Sequence, residues 1–337
     1  MLTISKDSDD FTTLWNDFSS IEDCPSGQKN WYRVPAFTTL DGSEHSIQIQ
    51  VCKGSEGGPT IFVAAGTHGN ELMGVEICRQ LAIDLSPEKI KGMVIVAPIL
   101  NPSAFRQRTR FNPIDGKDPS QLYPGDKSGS ATEQLVHNIW SKLASKAECV
   151  IDIHSAGFGS KNIPHIYVPW GKVSRCEFSS MELADIFGCE AAIQTRPDED
   201  YHFRFDRALA SCASQFGASA FAPELGEGGI TDEFHVQYGL TGVRNVMKKL
   251  GLIKGSIQPQ GKRKVVTRTA VVRSKISGIL WRSYELGEEL SEGRKIADVY
   301  GIDSGKATLA SPISGIVLWT TLFGNTNAGD DVCWIGY

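Results

Sequence analysis

Ile61–Glu71 reads IFVAAGTHGNE. An unbroken apolar run of this length predicts a buried strand. At its end stand an imidazole, His68, and a carboxylate, Glu71, three positions on. Gly66 and Gly69 let the backbone turn sharply around them. In a tight loop or a first helical turn this spacing puts both side chains on one side. Open parallel sheets take their ligands beyond the carboxyl ends of their strands. An imidazole nitrogen and a carboxylate oxygen converging there suit a borderline-soft divalent ion, zinc above all.

The same construction recurs further on. Cys149–Gly157 reads CVIDIHSAG, an apolar strand with a histidine at its end. A catalytic zinc takes three protein ligands and keeps a position open. His154 is therefore the third candidate ligand, for one Zn2+ per chain. Asp152 shares a strand face with His154 and is placed to orient a ligand. A single histidine near a strand end is ordinarily a hydrogen-bonded structural residue. The H-x-x-E and the second strand-terminal D-x-H together favour ligation. His45, His137, His165, His202 and His235 lack that context and are expected in surface or core roles.

Outward from these two motifs, apolar runs alternate with helical stretches. Strands are predicted over 31–35, 46–51, 61–65, 93–99, 149–153, 166–169, 191–194 and 218–222. Helices are predicted over 71–83, 132–145, 179–187, 203–216 and 233–249. Strand alternating with helix predicts an α/β domain with a largely parallel sheet. Ser130-Ala-Thr-Glu133 is a capping-box pattern at the second helix. The pattern changes near Gly251. Gly255–Lys264 (GSIQPQGKRK) is polar and reads as a linker, dividing the chain into 1–254 and 265–337. The tail repeats itself, SKISGIL at Ser274–Leu280 and SPISGIV at Ser311–Val317. Two copies of a strand-turn-strand unit predict a small pseudo-symmetric all-β barrel or sandwich. It resembles the biotinyl/lipoyl type, in which a hairpin lysine carries the prosthetic group. Here Asp303-Ser-Gly-Lys306 lacks the usual residues around that lysine, so an accessory domain shaping the site is the preferred reading.

With 337 residues, 41% apolar and 22% charged, the chain has the makings of a globular protein with a real core. A formal charge of −5 with no basic run argues against nucleic acid or an anionic membrane as partner. The first residues lack the basic and apolar regions of a secretory signal, and no apolar run is long enough for a bilayer. The eight cysteines are scattered and never spaced C-x-x-C, which predicts core thiols in the cytoplasm rather than a disulfide framework.

At these residues the sequence resembles the succinylglutamate desuccinylase/aspartoacylase family, a deacylase branch of the zinc carboxypeptidase-like fold. Four motifs match in order: Gly66-Thr-His-Gly-Asn-Glu71, the block from Asn101-Pro102 to Arg110, Asp152-Ile-His154-Ser, and Phe221-Ala-Pro-Glu224-Leu-Gly. The resemblance implies a mostly parallel mixed sheet flanked by helices and a C-terminal all-β domain. It implies zinc on His68, Glu71 and His154, with Glu224 as general base and Arg110 steadying the acyl oxygen. The chemistry of these residue types agrees. A divalent ion held by two neutral imidazoles and one carboxylate stays positive and can lower the pKa of a water toward about 7. A glutamate then takes the proton and hands it to the departing amine, and a guanidinium partners the developing oxyanion. Glu227 is the local competitor of Glu224. Arg106 and Arg108 are expected in solvated or structural roles.

One departure bears on the substrate. The family commonly has D-L-N-R-x-F-P-G after this arginine, its Asn-Arg pair clamping the substrate carboxylate. Here Asp118–Gly125 reads DPSQLYPG, with Ser120 and Gln121 in their place. Gln121 offers no charged fork. Either another cation (Arg106, Arg108, Arg196, Arg204 or Arg207) replaces the clamp, or Ser120 and Gln121 receive a neutral hydrogen-bonding group. Ile193–Phe205 is read as a lid or as a solvated loop, and Tyr284 and Tyr300 as residues able to reach the site from the barrel. The function expected is a zinc-dependent hydrolase cleaving the amide of a small N-acylated amino acid or related amine. A small N-acyl substrate is the expected partner, with a homo-oligomer left open. The alternatives are a carboxypeptidase-type zinc peptidase and a degenerate metal-bearing binding module.

Overall fold

The computed structural model describes residues 16–171, 175–195, 205–261, 264–303 and 305–337. The strands are β1 (Asn16–Asp17), β2 (Gln28–Thr38), β3 (Glu44–Lys53), β4 (Glu56–Ala65), β5 (Lys91–Ile99), β6 (Cys149–Ile153), β7 (Ser160–Asn162), β8 (His165–Pro169), β9 (Ala191–Thr195), β10 (Ser219–Glu224) and β11 (Lys264–Val266). The helices are α1 (Met73–Asp84), α2 (Pro102–Gln107), α3 (Ala131–Lys142), α4 (Ser180–Phe187), α5 (Leu209–Gln215) and α6 (Glu233–Lys249). All these strands but β7 form one sheet, in the order β1-β2-β3-β5-β4-β6-β10-β8-β9-β11. Its centre, β5-β4-β6-β10, is parallel, and antiparallel pairs occur at β2–β3, β3–β5 and β10–β8.

The apolar run that predicted a buried strand is buried because both faces of β4 are covered. Ile61, Val63 and Ala65 point into a core shared with α1, α4 and α6. Phe62 and Ala64 point into a second core shared with α3 and α5. A continuous apolar strand is what a sheet clad on both sides requires. At the start of α3 the Glu133 carboxylate accepts from the Ser130 N–H at 2.9 Å, as the capping box predicts.

Several helices differ from their expected bounds. The helix expected from residue 71 begins at Met73, so Glu71 stands in the turn before it. The helix expected over 132–145 ends at Lys142, and a short 3-10 turn follows over Ala144–Lys146. For the one expected over 203–216, the first two residues lie outside the described ones. A 3-10 turn covers Phe205–Arg207 and α5 starts only at Leu209, because Ala208 is extended.

The tail adds β12 (Thr269–Arg273), β13 (Gly278–Arg282), β14 (Glu289–Leu290), β15 (Lys295–Tyr300), β16 (Lys306–Ala310), β17 (Gly315–Thr321), β18 (Asn325–Thr326) and β19 (Asp331–Gly336). They form two antiparallel sheets, β12-β19-β17-β14 and β16-β15-β13-β18, around a core that includes Leu280, Ile296, Val299, Val317 and Ile335. The repeat is structural as well as sequential. Ser274 Oγ donates to Ile276 O at 2.7 Å, and Ser311 Oγ to Ile313 O at 2.6 Å. The two parts of the chain exchange strands. β11, at the end of the expected linker, pairs with β9 in the large sheet, and β7 pairs with β17 of the tail. The second exchange brings the tail to the carboxyl ends of β4, β6 and β10.

Candidate active site

Three strand ends build the site. After β4 the chain turns at Gly66, whose φ of 66° suits glycine. Gly69 serves another purpose. A Cβ there would meet the Ala104 carbonyl carbon at 2.0 Å, so glycine permits a close approach to α2. The Gly69 N–H donates to Thr109 O at 2.8 Å, which ties the His68 turn to the segment carrying Arg110. At the end of β6, the His154 N–H donates to Pro223 O at 2.8 Å. That bond places His154 beside Glu224, the last residue of β10.

His68, Glu71 and His154 converge, with one ligand atom from each within 4.8 Å of the others. Glu71 Oε1 lies 2.6 Å from His68 Nδ1, and Oε2 lies 2.8 Å from His154 Nδ1. The opposite ring nitrogens are held by carboxylates. Asp118 Oδ1 meets His68 Nε2 at 3.1 Å, and Asp152 Oδ2 meets His154 Nε2 at 3.1 Å. This donor set fits zinc: two imidazoles and a carboxylate, buried, with both outer nitrogens tied to aspartates. The electrostatics draw positive charge. Burial opposes charge on Glu71, but His68 and His154 outweigh it and hold the carboxyl well below its ordinary range. Burial likewise opposes protonation of His154, and Asp152 and Glu71 outweigh it, lifting the imidazole well above its usual value.

Arg110 leans over the cluster. Its Nε donates to Asp118 Oδ2 at 3.0 Å, and a guanidinium nitrogen lies 3.5 Å from Glu71 Oε1. Arg106 and Arg108 are exposed and line no part of this cavity. Glu224 faces the same cavity, while Glu227 is not among its lining residues. Burial, with Glu71 and Asp152 adding to it against His154 and Arg110, raises the Glu224 carboxyl to about 8. A carboxyl that exchanges its proton near neutrality is suited to serve as base and then acid. Asn162 Nδ2 donates to Glu224 Oε2 at 3.0 Å.

The cavity measures about 490 Å3. One wall comes from the tail: Trp319, Thr321, Phe323 and Trp334 line it, with Asp330 and Asp331. Tyr284 instead lies in the tail's core, its hydroxyl 2.7 Å from Thr320 Oγ1, and Tyr300 is exposed beside Lys306. Ser120 and Gln121 both line the cavity. The Ser120 hydroxyl donates to Asp118 Oδ1 at 2.7 Å, so it is engaged in holding the His68 partner. Of the cations considered as a replacement clamp, Arg207 donates to Tyr123 O and lines no part of the cavity, while Arg196 and Arg204 lie outside the described residues, as does most of the expected lid.

Sequence reasoning missed Asp118, Asn162, His165 and the two tail tryptophans. Asp118 begins the DPSQLYPG frame, and that frame was the available signal. His165 was expected in a surface or core role, and it is buried in the core yet lines the cavity. No local pattern marks Asn162 or the tryptophans, because pairing of β7 with β17 creates their position.

Residues 57–250 match the model of the succinylglutamate desuccinylase/aspartoacylase catalytic domain. The chain is 28% identical over 293 residues to the N-alpha-acetyl-L-2,4-diaminobutyric acid deacetylase of Halomonas elongata, covering 85% of this chain and 84% of that one. It is 27% identical over 207 residues to the succinylglutamate desuccinylase of Pseudomonas paraeruginosa, covering 56% and 59%. The crystal structure of a succinylglutamate desuccinylase/aspartoacylase from Rhodobacter sphaeroides superposes with a TM-score of 0.80 at 25% identity, over 92% of this chain and 94% of that one.

Proposed function

The chain belongs to the succinylglutamate desuccinylase/aspartoacylase family, and from that premise we propose that it is a zinc-dependent amidohydrolase releasing an acyl group from the nitrogen of a small amino-acid-like molecule. The observation that carries this reading is the meeting of His68, Glu71 and His154 with Glu224 at one cavity. The names of the relatives support the reaction class, since both a deacetylase and a desuccinylase remove acyl groups from amino-acid nitrogen. Residues 1–254 supply the chemistry, and the all-β part, 265–337, supplies a wall of the cavity.

His68, Glu71 and His154 would hold the zinc, which when bound would supply Lewis-acid activation of a water. Asp118 and Asp152 fix the two imidazoles so that each Nδ1 faces inward. Glu224 takes a proton from the water and returns it to the departing nitrogen. Asn162 holds Oε2 of Glu224 and thereby fixes the plane of its carboxylate. The Arg110 guanidinium, pinned by Asp118, meets negative charge on the acyl oxygen. The membrane plays no part in this scheme, and no described helix is long and apolar enough to cross one.

Release of free amine from N-acetylated amino acids, set beside release from dipeptides, tests the proposal. Turnover of the N-acyl compounds with little on dipeptides is the expected result. Preference for dipeptides with a free C-terminus favours a carboxypeptidase-type enzyme.

A further inference from the structure

Four aromatic side chains line one flank of the catalytic cavity, and solvent reaches all of them. Phe158 is 71% exposed and Phe323 48%, while Trp319 and Trp334 are partly exposed. Large apolar side chains grouped in the open at a concave site mark the place of a ligand. The group is held in place from behind. The two indoles stack with centroids 5.0 Å apart, and the Phe158 and Phe323 rings stand 6.3 Å apart. Glycine at 159 lets Phe323 close in, since a Cβ there would strike its ring. The Leu322 N–H donates to Gly159 O at 2.7 Å, and the Phe323 N–H to Thr321 Oγ1 at 3.2 Å. Trp334 Nε1 donates to Asp331 Oδ2 at 3.0 Å, so the one polar atom of this side chain is engaged within the tail.

Strand register sets this flank beside the nitrogen-bearing half of the substrate. A group that returns a proton to the departing nitrogen must lie next to it, so the nitrogen and its substituent belong on the Glu224 side, with the acyl oxygen at Arg110. Asn162 donates to Glu224 Oε2 and is paired directly with Trp319 across β7 and β17. Directly opposed residues of an antiparallel pair share a face, with Cβ atoms about 5 Å apart. The Asn162 side chain thus bridges Glu224 and the first indole. The charges on the same flank are negative. Asp330 and Asp331 line it, and the tail brings no lysine or arginine to the lining among the described residues. Both carboxylates are engaged already: Asp331 Oδ1 accepts from Arg273 Nε at 3.0 Å, and Asp330 Oδ2 from the Asn327 N–H at 2.7 Å. A flat apolar substituent gains contact area against these rings, while a carboxylate meets like charge.

We propose that Trp319, Trp334, Phe158 and Phe323 form a subsite for an uncharged aromatic group on the substrate nitrogen, so that the enzyme deacylates N-acylated arylalkylamines in preference to the corresponding N-acyl amino acids. The proposal rests on the amidohydrolase reading and specifies its substrate. It also accounts for Gln121, since a substrate without a carboxylate needs no cation there.

The test uses three acetamides: N-phenethylacetamide, N-butylacetamide and N-acetylphenylalanine, the last being the first with a carboxylate added. The zinc-loaded enzyme should favour the phenethyl compound over each of the others by about tenfold or more in kcat/KM. Phe158→Ala and Phe323→Ala should each lower the phenethyl-to-butyl ratio by about threefold or more, chiefly through KM. Phe323→Tyr, which keeps the ring, should retain most of it. N-acetylphenylalanine turned over as well as the phenethyl compound, or a ratio unchanged in a folded protein carrying both alanines, overturns the proposal. If none of the three amides is hydrolysed, the amidohydrolase reading fails. Calorimetry then decides the subsite by itself. Phenethyl compound bound about tenfold tighter than the butyl one, with the difference lost in the double variant, still supports it, and equal binding removes it.

Discussion

The Asp118 carboxylate meets His68 Nε2 at 3.1 Å, on the edge of the ring opposite the Nδ1 that faces Glu71. Asp152 stands in the same relation to His154. Each imidazole is therefore held from behind by a carboxylate that orients its ring, with Nδ1 turned inward to where a metal ion would take its lone pair. Asp118 also binds Arg110 and Ser120, so one carboxylate aligns a proposed metal ligand with the group proposed to steady the acyl oxygen. Burial alone would raise its pKa, but the His68 bond and the nearby cations hold it well below the ordinary carboxylate range.

Replacing either aspartate should loosen the metal without removing a ligand. Asp118→Asn and Asp152→Asn should each weaken zinc binding by about 10–100-fold, read by competition with a chelator. Asp118→Asn should also lower kcat, because Arg110 loses its anchor. Affinity equal to wild type in both variants would show that the aspartates do not position the ligands.

Glu224→Gln should lower kcat by about 10²–10⁴-fold while zinc content stays unchanged. Asn162→Ala should reduce kcat less, since it frees Glu224 Oε2 without removing the carboxylate. Full activity in Glu224→Gln would move the base to another residue.

Gln121→Arg should restore charged recognition at the cavity. The gain expected is about tenfold or more in kcat/KM on N-acyl acidic amino acids. An absence of gain would remove the idea that Gln121 sets the enzyme against anionic substrates.

Acid should destabilise the protein through His165. Burial lowers its pKa from an ordinary 6.5 to about 4, only partly opposed by the bond to Ile163 O. Between those values the unfolded chain binds more protons than the folded one, so stability falls as pH drops through that window. Roughly 2 kcal/mol should be lost by pH 5 relative to pH 7. His165→Gln removes the titration, and its denaturation midpoint should fall correspondingly less over that range. An identical pH dependence would contradict the buried, neutral assignment.

The convergence of His68, Glu71 and His154, and the sheet that carries them, were legible because both depend on local pattern. An unbroken apolar run before His68, and another before His154, mark strands clad on both faces, and strand ends are where such sheets place their ligands. The strand-end place of Glu224 was legible for the same reason, while the family resemblance singled the residue out. Helix bounds were less so: Glu71 stands in a turn before α1, its N–H donating to His68 O at 3.3 Å. Asn162 and His165 were invisible as site residues. Their position follows from pairing across distant strands, β7 with β17 and β8 with β10, and nothing in the residues around them encodes that register. The tail repeat announced a β-structure, but its tryptophans gained their place only through the same exchange of strands.

The central claim is that His68, Glu71 and His154 hold a catalytic zinc. Anomalous scattering at the zinc edge from crystals of the active protein tests it most directly. The account predicts one strong peak per chain, about 2.0–2.2 Å from His68 Nδ1, His154 Nδ1 and a Glu71 oxygen. An active protein with no peak there, or with its only peak elsewhere, would contradict it.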